Sequence, residues 1–247
     1  MSVEHFSQRV SNVAPIAEAM PVVFVVDGDA MVRQSLERLI WRAGFQPRSF
    51  ATAREFLACR RSVGPSCLVI EAAPPGIGGY DVLGWFAECG LRTPTIFIAE
   101  DPDVHAIVRA MKAGAVEFLA KPIKEAELLD AIEEAIVQSR TNLADEIEMR
   151  QRRDDYASLT PREREVMDLV VRGLLNKVVG AELGITEITV KAHRGRVMQK
   201  MHARSLAELV KMATALRTAT RGPGLSSHAP AGCLPGRLAR EVAAMAA

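Results

Sequence analysis

Polar residues stand where several apolar runs of the sequence end, and together they could form one charged site. Asp27 and Asp29 follow the first run, Glu71 ends a later one and Lys121 follows the last, whereas the run that ends at Ala99 offers no polar group. If these runs are parallel strands, their carboxyl ends lie along one edge of a sheet and their side chains converge there. The chemistry open to this set is ionic, with a carboxylate and the lysine as a pair.

The elements that would carry these residues alternate between strand and helix. Short β-branched apolar runs, typical of strands buried on both faces, occupy 22–26, 67–71, 95–99 and 115–120, with a weaker strand at 45–50. Helical spacing follows the first strand up to Gly44 and recurs at 52–60, 80–89, 103–113 and 125–138. This alternation predicts an α/β domain over 22–138, with a five-stranded parallel sheet and helices on both faces.

The region from about 159 to 213 shows only helical periodicity and is predicted to be an all-α domain. Its first helix opens well, because Thr160 can cap it and Glu163 can complete a capping box. Further on, two helical stretches separated by a turn form a helix-turn-helix at about 178–197, and Thr186 caps the second of them. On this second helix we expect four apolar residues to face the core: Ile188, Val190, Val197 and Met201.

A highly charged segment without Pro or Gly, 138–157, joins the two regions. The simpler interpretation is a helical linker at 139–153; the alternative is a short coiled coil at a dimer axis, although its apolar residues are sparse for a heptad seam. The helix-turn-helix domain then spans 154–219. The tail 220–247 is rich in small residues, Pro and Gly and is predicted to be disordered.

Composition indicates a cytoplasmic protein. Of 247 residues 49% are hydrophobic and 25% charged, and the four cysteines show neither a CxxC pair nor zinc spacing, so we expect reduced thiols. No apolar run approaches the roughly 20 residues of a membrane span, and the N-terminus lacks the order of a signal peptide. The net charge of +1 is the sum of two domains with net charges of opposite sign. Residues 21–137 contain 12 Lys and Arg against 16 Asp and Glu, whereas residues 158–213 contain 10 Lys and Arg against 6 Asp and Glu. The basic domain indicates a nucleic-acid partner.

The first domain resembles the receiver domain of bacterial two-component response regulators. The resemblance rests on the strand-end residues, the stretch AMKAG at 110–114, the Lys-Pro pair at 121–122 and the loop that ends in Gly78 and Gly79. It implies a flavodoxin-like fold. It also implies a family chemistry in which an Asp after the third strand accepts a phosphoryl group from a histidine kinase. Two acids after the first strand hold Mg²⁺, and a hydroxyl residue and the lysine hold phosphate oxygens.

The sequence departs from that family pattern at three positions. Glu71 replaces the acceptor Asp and moves the carboxylate out of its in-line position. Gly28 replaces the second metal-binding acid, which Asp29 cannot supply from one position away, and a lost oxygen ligand weakens a magnesium site. Ala99 replaces the hydroxyl residue. We therefore predict a degenerate pocket without phosphotransfer, metal or cofactor, in a protein that is not an enzyme.

Two interpretations of Glu71 remain open. It could mimic the phosphorylated state, although it carries one negative charge against roughly −1.5 to −2 for a phosphoryl group. The simpler interpretation is that Glu71 compensates Lys121, which would otherwise be an unpaired and partly buried cation.

The second domain is similar to the helix-turn-helix output domain of the LuxR/FixJ class, from LTPRERE at 159–165 through TVK-x-H to SLAELV at 205–210. This resemblance implies a recognition helix in the major groove of DNA, with Lys191, Ala192 and Gly195 nearest the bases. Phosphate contacts are expected from Lys177, Thr186, Thr189, Arg196 and Lys200. His193 either reads a base or, more simply, packs and bonds to the backbone, and Arg194 lies between groove and core. The alternative is a solvated basic face.

The whole chain therefore looks like a FixJ-type response regulator with an altered receiver. The resemblance implies a homodimer on a two-fold double-stranded DNA site, and no membrane. Receiver contacts are expected from Val104, Ile107, Val108 and Met111, and output-domain contacts from Leu206, Leu209 and Val210. Another response regulator or RNA polymerase is a further possible partner. The competing functions are an interaction module that pairs with an intact regulator and a phosphoacceptor with relaxed chemistry, which the pocket disfavours.

Overall fold

The computed structural model describes residues 19–59, 64–72, 84, 92–102 and 104–221. The predicted helix at 80–89 and the disordered tail lie almost wholly outside these residues. The chain divides into two compact units between Ala144 and Asp145. None of the helices in the described ranges combines the length and the apolar character needed to cross a bilayer.

The first unit contains a parallel sheet of five strands, in agreement with the predicted fold class. The strands are β1 (Val22–Val26), β2 (Gln46–Phe50), β3 (Ser66–Glu71), β4 (Thr95–Ala99) and β5 (Glu117–Ala120). Their order is β2-β1-β3-β4-β5, so the order along the sheet reverses at β1. In open parallel sheets the site lies at the carboxyl ends of the strands beside this reversal. Here that position is the crevice above β1 and β3.

Helices cover both faces of the sheet, because the central strands are apolar on both sides. They are α1 (Ala30–Arg42), α2 (Ala53–Ala58), α3 (Val104–Lys112) and the start of α4 at Glu125. All five residues of β1 are buried, and alternate ones enter two separate cores. Gly44 adopts a φ of +87° just after α1, a conformation that glycine adopts without strain. It turns the chain from α1 into β2.

Helix α4 runs without interruption over Glu125–Ala157, so the separate linker predicted at 139–153 is part of one helix. The helix stays attached to the first unit beyond residue 138. Ser139 Oγ accepts a hydrogen bond from Ser66 N at 3.0 Å, and Asn142 Nδ2 donates to Arg92 O at 2.8 Å. These contacts extend the first unit to Ala144, six residues past the predicted boundary.

Two cysteines, Cys59 and Cys67, lie in the described part of the chain and form no disulfide there. Cys59 Sγ accepts a hydrogen bond from Arg48 Nη2 at 2.9 Å, and Cys67 is fully buried in β3. Burial raises the pKa of the Cys67 thiol, so this group stays protonated and unreactive.

The second unit is all-α, as predicted. It contains α5 (Pro161–Val171), α6 (Asn176–Leu183), α7 (Glu187–Lys200) and α8 (Leu206–Arg221). The capping box at the start of α5 is confirmed: Thr160 Oγ1 accepts from Glu163 N at 3.3 Å, and Glu163 Oε2 accepts from Thr160 N at 2.9 Å. Helix α7 packs against α5 and α6 and forms the second helix of the helix-turn-helix.

Two glycines set the geometry of the helix-turn-helix. Gly184 ends α6 in the left-handed conformation, with a φ of +66°. Gly180 is buried on α6, and a Cβ at this position would lie 2.7 Å from the backbone oxygen of Ile185. The turn therefore approaches α6 so closely that only glycine fits without a shift of the backbone.

Candidate functional site

The structure brings together three of the charged residues predicted at the strand ends. Lys121 Nζ lies 3.0 Å from Asp27 Oδ2 and 3.1 Å from Glu71 Oε1. Asp27 is fully buried at the end of β1, and the side chains of Lys121 and Glu71 are largely enclosed. The ammonium group of Lys121, the residue that follows β5, therefore links the carboxyl ends of β1 and β3.

Burial alone would lower the pKa of Lys121, but hydrogen bonds from its ammonium to Asp27 and Glu71, with the charges of both carboxylates, raise that pKa overall. Lys121 is thus a stable cation between two carboxylates. The expectation that Lys121 would be unpaired without Glu71 was wrong, because Asp27 also contacts it.

The polar groups of the loop between β1 and α1 hydrogen-bond within the loop and to the start of α1. Asp29 caps α1: its Oδ1 accepts from Met31 N at 2.7 Å, and its own N donates to Asp27 Oδ1 at 2.8 Å. Gly28 contributes only backbone groups, and its N lies 3.4 Å from Glu71 Oε2. Arg33, which the sequence analysis missed, donates from Nη1 to the carbonyl oxygens of Asp27 and Gly28 at 2.7 and 3.0 Å. No sequence motif distinguishes this arginine from others on a helix surface.

The remaining position of the predicted pocket, Ala99, offers only its backbone. Its carbonyl oxygen accepts from Lys121 N at 2.7 Å where β4 and β5 end. Over the ranges that the structure describes, no group of three or more His, Cys, Asp or Glu side chains could hold a metal ion. The polar side chains of this edge therefore bond to one another and to the backbone.

In the second unit, helix α7 starts at the predicted cap. Thr186 Oγ1 accepts from Thr189 N at 3.2 Å, and the two threonine hydroxyls lie 2.8 Å apart. Val190 and Val197 are buried as predicted, and so is Met201, which follows the helix.

The prediction for Ile188 was wrong, because its side chain is 79% exposed. Residues two apart on a helix do not face the same way, and Val190 is the residue that faces the core. Ile188 therefore points away from the core.

The residues predicted nearest to DNA bases lie on the exposed side of α7. Lys191, Ala192, Gly195 and Arg196 are exposed, and so is Lys177 on α6. Lys191 Nζ pairs with Glu187 Oε1 at 3.0 Å, but its side chain is 62% exposed. An exposed pair of this kind contributes little, so the lysine can exchange its partner for a base or a phosphate.

Two residues of the predicted set, His193 and Arg194, are half-buried rather than fully accessible. Arg194 Nη1 lies 3.4 Å from Asn176 Oδ1 at the start of α6. The Nδ1 atom of His193 is buried and has no hydrogen-bond partner among the described residues, so the predicted bond to the backbone is not made by this atom. Both residues lie between the exposed side of α7 and the core.

Lys200, one of the predicted phosphate contacts, bonds to two residues of its own unit. Its Nζ donates to Glu163 Oε2 at 2.6 Å and to Ser158 O at 3.1 Å. Glu163 is only 3% exposed, so its charge depends on this partner. Lys200 thus joins the end of α7 to the start of α5.

We expect Glu163→Gln to destabilise the protein by roughly 1 to 3 kcal/mol at neutral pH, because Lys200 loses its charged partner. The hydrogen bond from Lys200, followed by the one from Thr160 N, lowers the pKa of Glu163 to about 2. A carboxyl with a lowered folded-state pKa stabilises above its unfolded-state value, here an ordinary glutamate value of 4.5, and this contribution is lost as the pH falls towards 2.

The measurement is thermal unfolding of the full chain followed by circular dichroism from pH 7 to pH 3. Glu165→Gln is the matched control, because Glu165 lies on the same helix but pairs with Arg162 at an exposed site. Equal stability and equal acid sensitivity of the two variants would contradict the role given to Glu163.

Most of the residues predicted to form dimer contacts are exposed or half-buried, and one is buried in the core. On α3, Val104, Val108 and Met111 are exposed and Ile107 is half-buried, so this face is accessible. On α8, Leu206 is exposed and Val210 half-buried. The contact predicted for Leu209 was wrong, because Leu209 is fully buried in the core with Met167 and Met201.

Comparison with known proteins gives the same division of the chain. Residues 23–133 match the family described as the response regulator receiver domain, and residues 157–213 match the bacterial regulatory proteins of the luxR family. Nodulation protein W of Bradyrhizobium diazoefficiens is 42% identical over 200 residues, which are 81% of this chain and 88% of that protein. Transcriptional regulatory protein FixJ of the same organism is 37% identical, over 77% of this chain and 93% of its own.

A solved structure is also similar to this chain. The low-resolution structure of the response regulator StyR has a TM-score of 0.68 and 42% sequence identity, and the match covers 79% of this chain and 99% of that one.

Proposed function

This chain belongs to the response regulators that join a receiver domain to a luxR-family DNA-binding domain, as FixJ does, and we propose that it controls transcription without phosphoryl transfer to its receiver. The DNA site is double-stranded and two-fold, and the protein binds it as a homodimer.

The observation that carries this proposal is the ion-pair network of Glu71, Lys121 and Asp27. The lysine that would hold a phosphoryl oxygen already has two carboxylate partners. Glu71 adds a longer side chain at the acceptor position, with Oε1 on the lysine and Oε2 towards Gly28 N. A phosphoryl group at Lys121 would have to compete for an ammonium that already pairs with two carboxylates of the protein.

The residues of the pocket do not fit a magnesium ion. Mg²⁺ requires near-ideal octahedral geometry and hard oxygen ligands. Asp27 and Glu71 each have an oxygen on Lys121, Gly28 has no side chain, and Asp29 uses an oxygen to cap α1. We therefore derive no chemical step through a metal ion in this receiver.

The departures from the family pattern at positions 28, 71 and 99 fix the receiver in one state. Ala99 has no hydroxyl that could move towards a phosphoryl group and report its presence. Glu71 acts as a permanent partner of Lys121 and holds the end of β3 to the residue after β5. The charge at this edge is then set by the sequence and not by a kinase.

The exposed face of α7 supports the DNA-binding half of the proposal. A helix in the major groove needs accessible side chains that can reach base edges, and here Lys191, Ala192 and Gly195 lie away from the core. Arg196 and Lys177 are exposed cations suited to phosphates.

The direct test is a footprint of the purified protein on DNA selected from a random pool, with no phosphodonor present. We expect a protected two-fold site, with half-sites about one helical turn apart. Protection that appears only after treatment with a phosphodonor would contradict phosphorylation-independent control.

Lys191→Ala should lower the affinity for the selected site about 10-fold or more, because a good base contact contributes roughly 1 to 3 kcal/mol of discrimination. Lys211→Ala is the matched control, since Lys211 is an exposed lysine of α8 in the same unit. Affinities from gel-shift titrations at one salt concentration are compared for selected and scrambled DNA. An equal loss in both variants would mean that only overall charge matters, and that α7 does not read the bases.

The second candidate function is an interaction module that pairs with an intact response regulator. The exposed apolar side chains of α3, which are Val104, Val108 and Met111, favour a protein contact on that face. Failure to select any DNA sequence, together with formation of a mixed dimer with another receiver, would favour this function.

A further inference from the structure

Among the described residues, no large apolar side chain is more exposed than that of Ile188. The residue lies in the first turn of α7, two positions after the cap Thr186. An isolated apolar residue on a protein surface needs no special explanation. Ile188, however, lies on the proposed recognition helix, and the residues beside it suggest a function for its side chain.

The buried residues of α7 define which side of the helix faces outwards. Val190 and Val197 are buried and about two turns apart, so they mark the inner side. Ile188, Ala192 and Gly195 follow one another at about one-turn spacing on the opposite side, and all three are exposed. The centre of the outward face is therefore apolar and mostly short.

Charged residues flank this apolar centre. Lys191 and Arg196 lie beside it and are exposed. The two threonine hydroxyls of the first turn bond to each other. Ala192 and Gly195 leave the helix backbone accessible, and a Cβ added at Gly195 would meet no atom within 4 Å. The helix can thus approach a surface closely, with Ile188 as the longest apolar side chain in the contact.

We propose that Ile188 is a specificity-determining residue that recognises thymine through its C5-methyl group in the major groove. Thymine is the base that presents a methyl group there, and apolar side chains recognise it by contact. The N-terminal residues of a recognition helix are those that reach base edges, and Ile188 lies in that turn. This inference rests on the proposed binding of DNA by α7. A two-fold site would contain one such thymine in each half.

The test uses the full-length protein and a duplex obtained by selection from random DNA. Each thymine of the duplex is replaced in turn by deoxyuridine, which keeps the base pairing and removes only the methyl group. We expect a roughly fourfold loss of affinity at one thymine of each half-site, the effect of removing one apolar methyl from a contact. In Ile188→Ala the same replacement should change the affinity little.

Leu175→Ala is the matched control, because Leu175 is similarly exposed at 74% but precedes α6. This variant should keep the full uracil effect even if its overall affinity changes. Ile188→Ala should keep its unfolding temperature, since the side chain is 79% exposed and little apolar area is lost. Sequence-specific binding in which no thymine methyl matters, or a uracil effect that persists in Ile188→Ala, would overturn this inference alone. Failure to select any sequence would overturn the proposed DNA recognition with it.

Discussion

We expect that incubation of the purified protein with acetyl phosphate and Mg²⁺ will leave the receiver without a covalent phosphoryl group, as measured by intact-mass analysis. The proposed reason is that this receiver lacks three groups of the family reaction at once. Glu71 stands at the acceptor position with an oxygen bound to Lys121, Gly28 supplies no metal ligand, and Ala99 supplies no hydroxyl. An intact receiver treated in parallel should gain one phosphoryl group and so serves as the control.

Restoring Glu71→Asp alone should not produce phosphorylation, because the magnesium ligand would still be absent. The triple variant with Glu71→Asp, Gly28→Asp and Ala99→Thr restores all the missing groups and should accept a phosphoryl group.

Beryllofluoride, a phosphoryl mimic, should shift the monomer–dimer equilibrium of that triple variant in sedimentation but leave the wild-type equilibrium unchanged. Stoichiometric phosphorylation of the wild type, or a clear shift of its equilibrium by the mimic, would overturn the proposal of a fixed receiver.

Gly180→Ala should destabilise the DNA-binding unit by about 1 to 3 kcal/mol and abolish most specific DNA binding. The added Cβ would lie 2.7 Å from the backbone oxygen of Ile185, and a backbone atom cannot move aside as a flexible side chain can. Helix α6 and the turn must separate, and the crossing of α6 with α7 changes. The recognition helix then presents its side chains at the wrong angle, even where the domain still folds.

Gly195→Ala is the informative comparison, because the same substitution on α7 meets no atom within 4 Å. Alanine is a better helix former than glycine by up to about 1 kcal/mol, so this variant should be more stable than the wild type. Thermal unfolding of both variants should therefore give shifts of opposite sign. Gly180→Ala with wild-type stability and DNA affinity would show that the close approach of the turn has no energetic consequence.

Local sequence pattern was sufficient for most strands and helices in the described part of both units, but not for the extent of the long helix α4. The runs at β1, β3 and β4 became central parallel strands because their residues are apolar on both faces, which a strand buried between two helical layers requires. The caps at Thr160 and Thr186 formed as predicted because they involve residues only three apart. The convergence of Asp27, Glu71 and Lys121 also followed from the sequence, since the carboxyl ends of parallel strands share one edge.

Tertiary structure alone decided the partners and the exposure of single side chains. Lys200 lies beside Glu163, 37 residues away in the sequence, because α7 crosses the start of α5. Ile188 is exposed and Leu209 is buried, although both are apolar residues on helices of the same unit. Helical periodicity places apolar residues on a common face, but the packing of neighbouring helices determines how far that face is covered. That packing depends on contacts between distant segments, which a local pattern does not contain.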